Sequence, residues 1–196
     1  VEYYHLFKEL MGKNGYPKLK ITGVFDESIN NDKISIPKED ALIEILQDYK
    51  DNFGVEYNIS RYSEFKKDVA LRLAHKRKYL NIENTHPELQ LNLVIVVDQM
   101  LTGFDSKWIN TLYLDKKLQY QGLIQAFSRT NRIFGPAKDF GNIKWYRYPH
   151  TMQKNMEEAF KLYSGSKPYG IFVDKLESNL NRLNDCYTYI KSIFEN

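Results

Sequence analysis

Apolar residues spaced three and four apart at Tyr3, Leu6, Phe7 and Leu10 predict an opening amphipathic helix. Leu19 to Phe25 reads as a strand and the polar stretch Asp26 to Lys33 as a loop. In the helix that follows, Pro37 suits the first turn and Glu39 and Asp40 complement its positive end. Leu42, Ile45, Leu46, Tyr49 and Phe53 form its apolar stripe, and Gly54 stops it. A further helix is predicted from Ser60 to Tyr79, with Phe65, Val69 and Leu73 inward and its basic residues outward. Leu91 to Val97 reads as a strand buried on both faces, as in the middle of a parallel sheet, and Thr111 to Leu114 as a second. A helix from Tyr120 to Ile133 ends before Gly135-Pro136, Ile143 to Tyr148 reads as the last strand, and Met152, Met156, Phe160 and Tyr163 mark a covering helix that stops near Gly165. Strands alternating with helices predict an α/β domain on a mostly parallel sheet over residues 1–165.

Residues 164–170 read as a linker, and the tail, 166–196, has a different pattern. Val173, Leu176, Leu180, Leu183, Tyr187, Ile190 and Phe194 form a seven-residue repeat, suited to a coiled coil or to packing on neighbouring helices, with Cys186 within the stripe. Both ends of the chain read as cut from something larger.

Composition narrows the class. With 42% hydrophobic residues the 196-residue chain can bury a core, which excludes disorder as its main state. A single cysteine excludes an internal disulfide and points to a reducing compartment, the cytoplasm. The longest apolar run, Leu93 to Val97, is far short of the roughly 20 residues that span a bilayer, so no membrane role is expected. Net charge is only +3, but it is uneven: residues 61–80 hold seven Lys/Arg against two acids, and residues 116–147 seven against one. Basic segments on an acidic body fit a phosphate-binding footprint, with Lys76, Arg77 and Lys78 as candidates for DNA; a solvated helix face explains these three, with Lys66 and Lys67, equally well.

Two short segments carry candidate chemistry. On the predicted 120–133 helix, Gln125, Arg129 and Arg132 stand at i, i+4 and i+7, within an arc of about 60°. Two guanidinium forks on one face suit a polyphosphate, although an ordinary amphipathic helix with surface arginines has the same spacing. The other segment is Met100-Leu101-Thr102-Gly103-Phe104-Asp105, just after a strand, where open parallel sheets bind ligands. Gly103 admits an anion to the backbone, Thr102 adds a hydroxyl, and Asp105 can accept from a sugar or orient an arginine; a polar turn accounts for the same residues.

In this order the two segments resemble motifs V and VI of superfamily-two helicases and translocases. More closely, Met100 to Asp105, Asn110-Thr111-Leu112-Tyr113-Leu114-Asp115-Lys116, Gly122 to Arg132 and Phe140-Gly141-Asn142-Ile143 resemble the R (restriction and motor) subunit of type I restriction enzymes, most strongly over residues 92–147. Ser128, which replaces the general helicase glycine, fits that subunit's pattern. The resemblance implies a second RecA-like motor lobe of the P-loop NTPase class over 1–165, followed by the start of a helical region over 166–196. It implies that Arg129 and Arg132 reach ATP phosphates, that Gln125 positions the nucleotide or its water, and that Asp105 contacts the ribose and couples the lobes. Thr102 and Gly103 would approach the DNA backbone. The implied parent is an ATP-dependent type I site-specific deoxyribonuclease that translocates double-stranded DNA. Its implied partners are modification and specificity subunits and the first motor lobe, which would bind most of the ATP and Mg²⁺. A lobe of another superfamily-two remodeller, or a DNA-binding or assembly module without motor chemistry, remains an alternative.

No Gly-x-x-x-x-Gly-Lys-Ser/Thr loop occurs, so the fragment alone is not expected to hydrolyse ATP. Asp26-Glu27 imitates an acidic Mg²⁺ motif but reads as a strand-end turn, and Glu64 and Lys66 diverge too far on a helix to share a metal. His5, His75, His86, His150 and Cys186 lack ligand spacing, so no metal is expected. Trp108, Trp145, Tyr146 and Tyr148 suit packing as readily as base stacking.

Overall fold

The computed structural model describes residues 1–25, 38–97, 100, 103–136, 138–164 and 176–194. The expected loop over Asp26 to Lys33, Asp26-Glu27, Pro37, Thr102, Gly165, the 165–170 stretch of the linker and Val173 lie outside them. The chain divides into two compact units, residues 1–116 with 124–147, and residues 117–123 with 148–196.

The first unit opens with α1 (Glu2–Met11), β1 (Ile21–Val24), α2 (Lys38–Phe53) and α3 (Tyr62–Leu73), then the single-turn α4 (Ile82–Thr85) and β2 (Leu93–Val96). β3 (Thr111–Leu114), α5 (Tyr120–Phe127) and β4 (Asn142–Trp145) follow, α5 beginning in the second unit. Strand pairing is parallel as expected. Among the described residues it forms two two-stranded sheets, β1 with β2 (Ile21 opposite Leu93) and β3 with β4 (Thr111 opposite Asn142), in place of one larger sheet. β2 is correspondingly half-buried, where the unbroken apolar run predicts burial on both faces.

The core joins Tyr4 of α1, Ile21 and Val24 of β1, the predicted stripe of α2 and Phe65, Val69 and Leu73 of α3. α2 lies directly on β1: a Cβ at Gly23 would stand 2.9 Å from Ile45 Cδ1. Inside this core is a polar network. The buried Arg72 donates to the hydroxyls of Tyr49 (3.0 Å) and Tyr79 (3.0 Å) and to the carbonyl of Leu89 (2.8 Å), while both tyrosines donate to the buried Asp68. Every charged group there has partners, which makes its burial tolerable.

Two helices end earlier than their patterning predicts. α3 stops at Leu73 because His75 adopts the left-handed conformation (φ 48°). Its N–H reaches the Arg72 carbonyl, and the Lys76 N–H reaches that of Leu71, a Schellman termination. Lys76, Arg77 and Lys78 therefore sit on the turn beyond the helix and not along an outward helix face. α5 stops at Phe127. Ser128 Oγ donates back to the Gln125 carbonyl at 2.7 Å, and the N–H groups of Arg129 and Thr130 bond three residues back, tightening the last turn. Arg129 and Arg132 thus lie past the helix, so the shared face at i, i+4 and i+7 does not form.

In the second unit, α6 (Pro149–Ser164) buries Met152, Ala159 and Phe160 and holds residue 118 through a 2.8 Å bond from Asn155 Nδ2 to the Leu118 carbonyl. α7 (Leu176–Phe194) is helical as predicted, with Leu180, Leu183, Tyr187, Ile190 and Phe194 exposed. Cys186 is exposed too, contrary to its expected packing in the stripe. Among the described residues no helix is long and apolar enough to cross a membrane.

Candidate functional site

The connection from β2 to β3 carries the Gly103-Phe104-Asp105 segment. Gly103 takes a φ of +71°, which glycine adopts without steric cost. Downstream, the Ser106 hydroxyl donates to the Leu73 carbonyl at the end of α3 and accepts the Trp108 N–H at 3.0 Å. The Trp108 ring stacks on His75 at 4.2 Å and meets Phe134 edge-on at 4.7 Å. His75 in turn pairs with Glu83 at 2.8 Å. The loop is thereby docked on the Schellman turn that ends α3.

The structure brings the two candidate segments together at Asp105. Arg132 Nε meets Asp105 Oδ1 at 2.7 Å, and Lys76 Nζ lies 3.8 Å from Oδ2 and donates to the Asp105 carbonyl at 3.1 Å. One carboxylate between two cations leaves the cluster net positive. The Arg132 side chain stays 60% exposed and meets Asp105 through Nε, so its guanidinium has further N–H donors to offer an anion. Arg129 is disposed differently. Its nitrogens donate to the carbonyls of Phe104 and Gln125 and to the Ser128 hydroxyl, so its guanidinium braces the loop against the end of α5. Gln125 is half-buried and accepts those bonds through its carbonyl.

The candidate DNA lysines separate. Lys76 belongs to the Asp105 cluster, and Lys78 binds the buried Asp68 at 2.7 Å. Burial opposes charge on Lys78, but its bonds to Asp68 and Tyr79 prevail and raise its pKa above the ordinary lysine value. Arg77 is exposed at a φ of 54°. Among the described residues no group of three His, Cys, Asp or Glu side chains is placed to hold a metal.

Sequence reasoning missed Lys138, which is only 6% exposed and donates to the carbonyls of Ile109 (2.7 Å) and Lys107 (3.1 Å). Burial lowers its pKa below the ordinary lysine value. In the sequence it merely adds to the 116–147 basic count, and nothing marks it as buried. The close approach of Gly141 to Thr130 was equally hidden, although Phe140-Gly141-Asn142 is part of the recognised pattern.

A family model described as type I restriction enzyme subunit R domain 3 matches residues 1–148. A type I restriction enzyme endonuclease subunit of Staphylococcus aureus (strain COL) is 31% identical over 198 residues, covering 98% of this chain and 20% of its own length. The corresponding subunit of Staphylococcus saprophyticus is 36% identical over 84% of this chain and 17% of its own. The HindI endonuclease subunit of Haemophilus influenzae is 32% identical over 55% of this chain and 10% of its own. The chain spans about a fifth of the length of the first of these relatives.

Proposed function

Since the chain belongs to the type I restriction enzyme R subunit family, we propose that it is the second RecA-like motor lobe of such a subunit, coupling ATP turnover to double-stranded DNA translocation. The lobe would occupy residues 1–165 and a helical region would begin at 166. The observation that carries this reading is the 2.7 Å pair between Asp105 and Arg132, which joins two segments distant in sequence into one cationic, partly open cluster. Such a cluster fits the edge of a nucleotide held mainly elsewhere, because a fixed arginine fork matches phosphate oxygens and keeps its charge at any relevant pH.

ATP with Mg²⁺ would supply the phosphoryl bond, both held largely by a first motor lobe. Within this chain Arg132 would offer its open donors to phosphate, and Asp105 would hold that side chain in place. Gln125 would help position the nucleotide or its water, while Gly103, with Thr102, would approach the DNA backbone. To reach a phosphate, Arg129 would have to exchange its carbonyl contacts; as it stands, it acts as a brace. Modification and specificity subunits would complete the complex, with Arg77 and the turn around it on the DNA side, in the cytoplasm.

The test is DNA-stimulated ATP turnover of the full R subunit assembled with its partner subunits. Arg132→Ala is expected to lower turnover by at least about a hundredfold, an arginine finger contributing roughly 10³ to 10⁵, with DNA binding retained. Arg129→Ala should lower it less. Unchanged turnover in both variants would favour a DNA-binding or assembly module. Collapse of turnover in a parent lacking an upstream nuclease motif would favour another superfamily-two remodeller.

A further inference from the structure

The Phe104–Ile109 connection is gripped through its carbonyls by cationic side chains from three other parts of the first unit. Arg129 takes the carbonyl of Phe104, Lys76 that of Asp105, and Lys138 alone takes two, those of Lys107 and Ile109. Arg129 and Lys76 keep some exposure, whereas Lys138 is buried, and among the described residues no carboxylate pairs with it. Its charge is therefore compensated by two backbone dipoles. Any relaxation of the loop would strand an ammonium out of water, so the loop conformation and the solvation of Lys138 are one equilibrium. Lys138 is itself held by a backbone pairing, its carbonyl accepting the Phe134 N–H at 2.7 Å, and Phe134 packs on Trp108 of the same loop.

Resting on the motor-lobe reading, we propose that Lys138 is a positioning residue for turnover: by clamping the backbone two and four residues beyond Asp105, it sets that carboxylate where Arg132 can be held with its outer donors open. A plain packing role would need only the aliphatic stem, since a Met of similar length would fill the space. The clamp needs a donor at the end of it, directed at two carbonyls of a segment that has no regular secondary structure of its own.

The experiment uses the full R subunit with its partner subunits. It compares wild type, Lys138→Met, Lys138→Arg and Arg132→Ala, and the Lys138→Met/Arg132→Ala pair. Amide hydrogen exchange over residues 104–109 in Lys138→Met should quicken about tenfold while α2 keeps its protection. The kcat for DNA-stimulated ATP turnover should fall roughly tenfold to a hundredfold, with the KM for ATP moving less than about threefold. Lys138→Arg, which keeps the charge and the donors, should restore most of the rate. In the Arg132→Ala background Lys138→Met should lower the rate no further, because the two act through one geometry. Unaltered exchange over 104–109 overturns the clamp, and full additivity with Arg132→Ala overturns its action through Asp105. If Arg132→Ala alone leaves turnover intact, it is the motor-lobe reading that fails, and the clamp is then decided by exchange. Should Lys138→Met not assemble, Lys138→Leu, which likewise lacks a terminal donor, takes its place in every arm.

Discussion

At the scale of single residues, the smallest side chain makes the sharpest demand. A Cβ at Gly141 would run into the carbonyl of Thr130, standing 2.6 Å from its carbonyl carbon, and Thr130 is itself fully buried. The obstacle is backbone, so it cannot swing aside as the end of a flexible side chain would. Gly141→Ala is expected to destabilise the chain by about 1–3 kcal/mol, read as a lower urea midpoint at unchanged slope. Thr130 precedes Arg132 by two residues, so the same substitution should disturb the Asp105–Arg132 pair. The glycine in the recognised Phe140-Gly141-Asn142 pattern thus has a packing reason that its place in a motif does not disclose.

At the scale of elements, the decisive contacts are those by which helices finish and meet. The Asp68–Arg72 network ties α2, α3 and the turn after α3 through Tyr49 and Tyr79. Burial pushes the Asp68 pKa up, but bonds from Lys78, Tyr79 and Tyr49 outweigh it and hold the carboxyl below its usual value. A carboxylate with a depressed folded-state pKa favours folding fully above its unfolded value, about 4, and loses that contribution as the pH falls through the lowered folded value. Asp68→Asn is therefore expected to be less stable than wild type at pH 7, with a smaller difference at pH 3, measured by urea unfolding at both pH values. The apolar stripes of α2 and α3 were legible from their spacing, since burial of one face imposes that period. The ends of α3 and α5 were not legible. A histidine in the left-handed conformation and a serine bonding back to Gln125 end them, and neither interrupts the pattern of apolar and polar positions.

At the scale of the whole chain, a net charge of +3 understates how the cations are engaged. Lys76 and Lys78 hold Asp105 and Asp68, so replacing them should disturb structure first. Arg77, on the same turn, is exposed, and we propose it for a phosphate contact. In the full R subunit, Arg77→Ala is expected to weaken DNA binding to a similar degree for all sequences and to reduce the salt slope of affinity by about one, with urea stability unchanged. An unaltered slope would remove Arg77 from the DNA face.

The sequence by itself determined the order and type of most elements, the parallel α/β character and the family, because periodic burial and short motifs are local properties of the chain. It also named the two segments that meet at the candidate site. Only the tertiary structure decided how they meet: that Asp105 pairs with Arg132 and Lys76, that Arg129 turns inward to carbonyls, and that the unremarked Lys138 is buried beneath the loop. Side-chain direction beyond a helix end, and the solvation of one lysine among many, depend on which distant backbone groups come within reach. That is settled by packing across the chain and not by spacing along it.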